Sequence, residues 1–199
     1  EANRHIDKWM YDQKLIVPSR VHQWPSPEKI EIYTKLEQST LEESLQKELQ
    51  KLPVDRARIQ KFLTHIRTLP ESDILERKIL STLSKAYYTT NTKGHFGLAL
   101  PHYIHFTSPI RRYPDLLAHR IIKEHLHLDG QQSSQYIKKI EKLLLISSER
   151  ERRAVEIERA VFDIYRTQYF SSRIGKKYSA RITSILANVL FVEIDPGLE

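Results

Sequence analysis

The chain has no cysteine, one methionine and only five glycines in 199 residues. Without cysteine there is no disulfide and no thiolate-ligated metal, and a cytoplasmic setting is the simpler expectation. No apolar run approaches the roughly 20 residues that cross a bilayer, and no secretory leader is recognisable, so no membrane span is expected. The chain starts at Glu1 without an initiator Met, which fits an upstream segment lying outside it. Internal repeats and low-complexity segments are also missing. Few glycines and nine prolines, set against abundant Glu, Lys, Leu, Ile and Arg, favour a mostly helical chain.

What is present is a basic chain with enough apolar material for a real core. Apolar residues make up 40%, with two Trp, ten Tyr and six Phe. That supports one good-sized domain, or one domain and part of another. The net charge of +7 and pI near 9.5 fit a polyanionic partner, nucleic acid first and an acidic membrane surface second.

Taken in order, residues 1–15 read as a helix with Ile6, Trp9, Met10 and Leu15 near one face. Residues 17–30 carry three prolines and read as an extended linker, with Ser26-Pro27 opening the next helix. From 27 to 88 the pattern is a set of short amphipathic helices broken at Pro53 and Pro70. These include Leu41–Leu52, Ile59–Ile66 and a stretch through Ile74, Ile79, Leu80 and Leu83. Thr89 to Gly94 reads as a turn. Beyond Arg120 a helix continues through Ile121, Ile122 and Leu126 to a glycine cap near Asp129-Gly130, with a kink or a distinct first turn expected at Pro114. Another helix covers 133–146. Ser148-Glu149-Arg150-Glu151 reads as a capping box opening a long helix to Ser172, with Ala154, Ile157, Val161, Ile164 and Tyr165 as its buried stripe. Tyr178–Ile185 and Val189–Ile194 alternate like two strands around Ala187-Asn188.

The chemistry concentrates in His95–Arg120. Phe96, Leu98 and Leu100 alternate as in a half-buried strand. Ser108 then precedes Pro109 as an N-cap precedes a first helical residue, and Arg111 and Arg112 fall in the first turn. Exposed N–H groups and the positive end of a helix dipole favour an anion there. Strand, cap, proline and guanidinium together describe a phosphate-binding corner; the plainer reading is a solvated basic helix end. Asp115, at three and four residues from the two arginines and four before His119, is placed either to orient an arginine or to form a buried salt bridge. Tyr103 and Tyr113 suit base stacking or a core. His95, His102, His105 and His119 match no strong ligand spacing, so no metal site is assigned.

This stretch resembles the signature of the ribonuclease II and ribonuclease R family of exoribonucleases, with ribonuclease R favoured. The matching residues are Gly94 to Ala99, Tyr103, His105 to Tyr113, Asp115, and His119-Arg120. A second match lies upstream, at Ala2-Asn3 and at Arg20, His22 and Pro25. The resemblance implies an α+β, mostly helical fragment of an RNB-type catalytic domain over 1–174, followed over 175–199 by the first strands of an incomplete OB-type β-barrel. Such a barrel closes with about five strands.

The activity implied is processive 3′-to-5′ hydrolysis of single-stranded RNA to nucleoside 5′-monophosphates, in a cytoplasmic parent expected to be a monomer. The family's clustered aspartates bind Mg²⁺ and lie upstream of the matched stretches. No equivalent cluster occurs in this chain, so the fragment alone is expected to be inactive. Carried over residue by residue, Arg111 holds the scissile phosphate with Arg112 as neighbour or substitute. His105, Thr107, Ser108 and Tyr103 fall on the RNA path, while Asp115, His119 and Glu158 stand behind these contacts. Two alternatives stay open: a non-catalytic RNA-binding homologue, and a helical interaction module.

Overall fold

The computed structural model describes residues 1–51, 55–70, 72–128, 134–186 and 188–194. The expected break at Pro53, the cap at Asp129-Gly130 and the hairpin residue Ala187 lie outside them. The chain divides into two compact units, Glu1–Glu149 and Arg150–Glu199.

The first unit opens with helix α1 (Ala2–Asp12), whose Met10 is fully buried while Ile6 and Trp9 pack at the margin of the same core. The proline-rich stretch is extended, as expected, but it also contains a short strand, β1 (Ser19–Val21). β1 pairs antiparallel with β2 (Tyr87–Thr89), with Arg20 opposite Tyr88. Tyr87 and Tyr88 therefore leave the helical region assigned to them, and the preceding helix ends at Thr82. Ser26 and Pro27 do open a helix, α2 (Pro27–Thr40). Helices α3 (Glu43–Gln50), α4 (Arg56–Ile66) and α5 (Ser72–Thr82) follow, with Leu41 buried at the end of α2 rather than inside α3.

Two apolar cores result. Tyr33, Leu41, Leu49, Ile59, Phe62, Ile66 and Ile79 fill the one made by α2–α5. Met10, Val17, Tyr88, Ile104, Leu117, Ile121, Ile140 and Leu144 belong to the other, which α1, β2, α6 (Tyr113–Leu128) and the start of α7 (Ser134–Ser171) share.

Helix α7 runs without interruption where two helices were expected. Ser148 does not cap a new helix. Its hydroxyl back-bonds to the Leu144 carbonyl at 2.9 Å and accepts the buried Tyr88 N–H at 2.8 Å, so a residue with cap chemistry is used as a tertiary tie. The second unit contains the rest of α7 and a hairpin, β3 (Ala180–Leu186) with β4 (Val189–Ile194), within two residues of the expected strands. The expected buried stripe of α7 is exposed: Ile157, Val161, Ile164 and Tyr165 show 44–65% of their surface. Period alone specifies such a stripe without specifying what covers it.

The alternation at Phe96, Leu98 and Leu100 also misleads. Phe96–Leu98 is a turn of 3₁₀ helix, and Leu98 is exposed. The turn closes because Ala99 adopts the left-handed conformation and the His95 N–H bonds the Leu100 carbonyl at 2.8 Å. Two imidazoles then hold it: His22 Nδ1 accepts the Gly97 N–H at 3.1 Å, and His95 Nδ1 accepts the Leu98 N–H at 3.3 Å. Glycine is required at 97, since a Cβ there would lie 2.8 Å from His22 Nδ1. An accepting nitrogen must be unprotonated. Burial, with His22 and Arg20 nearby, pushes His95 down to about 4, and burial lowers His22 as well.

The unfolded chain takes up the His95 proton near the ordinary 6.5, whereas the folded chain resists it until about 4. Stability is therefore full above 6.5 and is lost as the pH falls from 6.5 towards about 4. His95→Asn, which keeps an acceptor in place without titrating, is expected to flatten that decline in melting temperature. An unchanged slope would contradict the role given to His95.

Candidate functional site

The segment from Ile104 to Arg112 carries most of the residues singled out from sequence. Ile104 is fully buried and bridges to Ser19, which anchors the segment beside β1. His105 Nδ1 bonds the Tyr88 hydroxyl at 2.8 Å, and the Tyr88 ring carries the Arg20 guanidinium 4.5 Å from its centroid. The Tyr103 ring packs edge-on against both His95 and His105. Tyr103 and His105 are thus half-buried and engaged with neighbours, while Thr107 is exposed.

Past Thr107 the chain turns. The N–H groups of Arg111 and Arg112 both donate to the Ser108 carbonyl, at 3.3 and 3.0 Å. This turn stands ahead of α6, so Ser108 and Pro109 do not open the helix and the arginines do not lie in its first turn. The cause is Pro114, which has no N–H to give the Ile110 carbonyl and so cannot extend a helix back through that residue. In the first turn of α6 its missing donor costs nothing. The expectation of a distinct first turn holds in this form.

Asp115 fixes the turn. It is completely buried, and its Oδ1 accepts two donors at 2.8 Å each: the Ser108 N–H and Arg112 Nη2. Its Oδ2 and the Arg112 Nε are buried with no hydrogen-bond partner among the described residues. Arg112 is therefore committed to the interior, with 23% of its side chain exposed. The Arg111 side chain is exposed and makes no hydrogen bond or ion pair among the described residues. The two adjacent arginines have different jobs. One neutralises a buried carboxylate; the other presents a planar fork of donors that matches phosphate.

His119 makes no hydrogen bond to Asp115 among the described residues, despite the four-residue spacing. Its Nε2 donates to the Phe106 carbonyl at 2.9 Å, and its ring lies flat on that of Phe106 at 3.9 Å. Glu158 is exposed on α7 in the second unit.

Sequence reasoning missed the polar side of α1. Asn3, Asp7 and Tyr11 recur every fourth residue, a helical stripe that was available as a signal. Asn3 bonds Tyr103 and Phe106, the buried Asp7 pairs with His102, and Tyr11 stacks on the His102 ring. Burial raises the Asp7 carboxyl, opposed in part by His102. Among the described residues no three His, Asp or Glu side chains group to hold a metal ion. The corner itself is guanidinium and amide, with its one carboxylate already paired, which does not fit a cation.

An RNB domain model matches residues 1–128. The chain belongs to the RNB-domain family. Ribonuclease R 1 of Lactococcus lactis subsp. lactis (strain IL1403) is 33% identical over 203 residues, covering 100% of this chain and 24% of that protein. The Mycoplasma genitalium RNase R, solved in complex with ribose methylated single-stranded RNA, superposes with a TM-score of 0.81 at 27% identity. That match covers 100% of this chain and 31% of that one. Yeast Ssd1, a pseudonuclease, shares the fold alone, with a TM-score of 0.55 and 23% identity over 74% of this chain and 18% of its own. The chain thus spans about a quarter to a third of the length of the two ribonuclease R proteins it matches.

The division of labour predicts unequal stability effects for neighbouring residues. Arg112→Ala leaves the Asp115 carboxylate buried and unpaired, at a cost of about 3–5 kcal/mol. Arg111→Ala is expected to stay within about 0.5 kcal/mol of the wild type. Denaturant unfolding of both variants checks this, and equal losses would contradict it.

Proposed function

We propose that the chain supplies the phosphate-holding corner of a processive 3′-to-5′ exoribonuclease that hydrolyses single-stranded RNA to nucleoside 5′-monophosphates. One observation carries the reading: an exposed, uncommitted Arg111 on a turn that the Asp115–Arg112 pair holds rigid. A fixed guanidinium makes two parallel hydrogen bonds to a phosphate and stabilises the charge that grows on its oxygens during hydrolysis. The net charge of +7 supports the same partner.

In this reading the Thr107 and Ser108 hydroxyls add contacts to the RNA, and the partly exposed Tyr103 and His105 border its path. The Ser108 N–H is not available, since Asp115 already takes it. Arg112, Asp115 and His119 act from behind. The roles of Glu158 and of Mg²⁺ rest on the family resemblance, with the Mg²⁺ ligands supplied from outside this chain. The β3–β4 hairpin is read as the opening of an OB-type barrel, with the domain boundary at 174/175, and the natural protein as a cytoplasmic monomer.

The test uses 5′-labelled single-stranded RNA and Mg²⁺ with the natural full-length protein and its Arg111→Ala variant. The wild type is expected to shorten RNA from the 3′ end, and the variant to be slowed by about 10²–10³-fold. If the wild type binds RNA but never shortens it, the non-catalytic homologue is correct. If it does neither, the interaction module is.

A further inference from the structure

The backbone from Phe106 to Ser108 belongs to no strand, so its polar groups need partners from elsewhere. It finds them in three side chains from two helices. Asn3 of α1 accepts the Phe106 N–H at 3.1 Å through Oδ1, and its Nδ2 donates to the Tyr103 hydroxyl at 2.9 Å. One carboxamide thereby fixes both ends of the Tyr103–Phe106 segment across about a hundred residues of sequence. His119 of α6 donates to the Phe106 carbonyl, and Asp115 of α6 accepts the Ser108 N–H. Phe106 is held at both its N–H and its C=O. Between these anchors stands Thr107, exposed and unbonded in its side chain among the described residues.

We propose that Asn3, His119 and Asp115 are positioning residues: they set Phe106–Ser108 before RNA arrives, so that Thr107 and the following Arg111 meet the scissile phosphate without rearrangement. This rests on the exoribonuclease reading above. None of the three reaches the phosphate itself. Their effect falls on the one phosphate at the reacting centre, while the remaining nucleotides supply ground-state binding elsewhere. Loss of an anchor therefore lowers kcat and leaves KM nearly unchanged.

At His119 the hydrogen bond and the ring stack can be separated. His119→Gln keeps an N–H donor towards the Phe106 carbonyl and loses the stack; His119→Phe keeps the ring and loses the donor. At Asn3, Asp retains the acceptor for the Phe106 N–H, whereas Ala retains nothing. The experiment measures kcat and KM on labelled single-stranded RNA with the full-length protein and Mg²⁺, well below the melting temperature, with Arg111→Ala alongside.

Asn3→Ala and His119→Phe are expected to lose about 10- to 100-fold in kcat with KM within about twofold. Asn3→Asp and His119→Gln are expected to recover most of that rate. A His119→Phe enzyme that works while His119→Gln fails would overturn the proposal, because the side chain would then serve packing only. Equal rates for Asn3→Ala and the wild type would overturn it independently, including where His119→Phe does not fold. Both outcomes count against the positioning role only where Arg111→Ala itself is slow. An unimpaired Arg111→Ala would instead sink the reading of the site on which the proposal stands.

Discussion

A carboxylate with none of its surface in water must find its counter-charge inside the protein, and Asp115 finds it in Arg112. Most of the corner's form follows from that pairing. The same oxygen that takes Arg112 also takes the Ser108 N–H, so one atom closes the turn from both ends. With Arg112 spent, the adjacent guanidinium has no internal carboxylate to satisfy and is left to solvent or a ligand. Sequence neighbours of identical type thus become a structural cation and an exposed, uncommitted one. A buried pair contributes little net stability over an apolar substitute, so its value here is the geometry it enforces.

That geometry is tied to the rest of the first unit by side chains more than by sheet. The two strands β1 and β2 are only three residues long, and beyond them the pairing continues as isolated bridges, Ser19 with Ile104 and His22 with His95. Several other backbone groups are met by imidazoles, a carboxamide and hydroxyls: His22 and His95 at the Gly97–Leu98 turn, Asn3 and His119 at Phe106, Ser148 at Tyr88. Such contacts are directional and fix a loop to a single conformation, which suits a phosphate site built on irregular backbone. They also make it sensitive to protonation wherever an imidazole must accept.

Helices α1, α2, α4, α5 and α6 were legible because period and cap residues act locally, as at Ser26-Pro27. So was the β3–β4 hairpin. The strands β1 and β2 were not, since three-residue segments carry too little pattern and their pairing, Ser19 with Thr89, is long-range. Alternation at Phe96–Leu100 imitated a strand because a 3₁₀ turn followed by a left-handed residue also places apolar residues two apart. Ser148 carried a cap's chemistry, but Tyr88 claimed its hydroxyl. At the site, the anion-binding character of Ser108–Arg112 and the reach of Asp115 were readable. Which arginine Asp115 would take was not, since partners at three and four residues are equivalent until Pro114 sets where the helix begins.

The central claim is that, of the two adjacent arginines, only Arg111 meets phosphate, and the salt dependence of RNA binding tests it most directly. Each neutralised phosphate on single-stranded RNA contributes about −0.7 to the slope of log affinity against log salt. Removing Arg111 is predicted to make that slope shallower by about 0.7, whereas removing Arg112 leaves the slope of the folded fraction unchanged. Equal changes for the two variants, or a change confined to Arg112, would contradict the account.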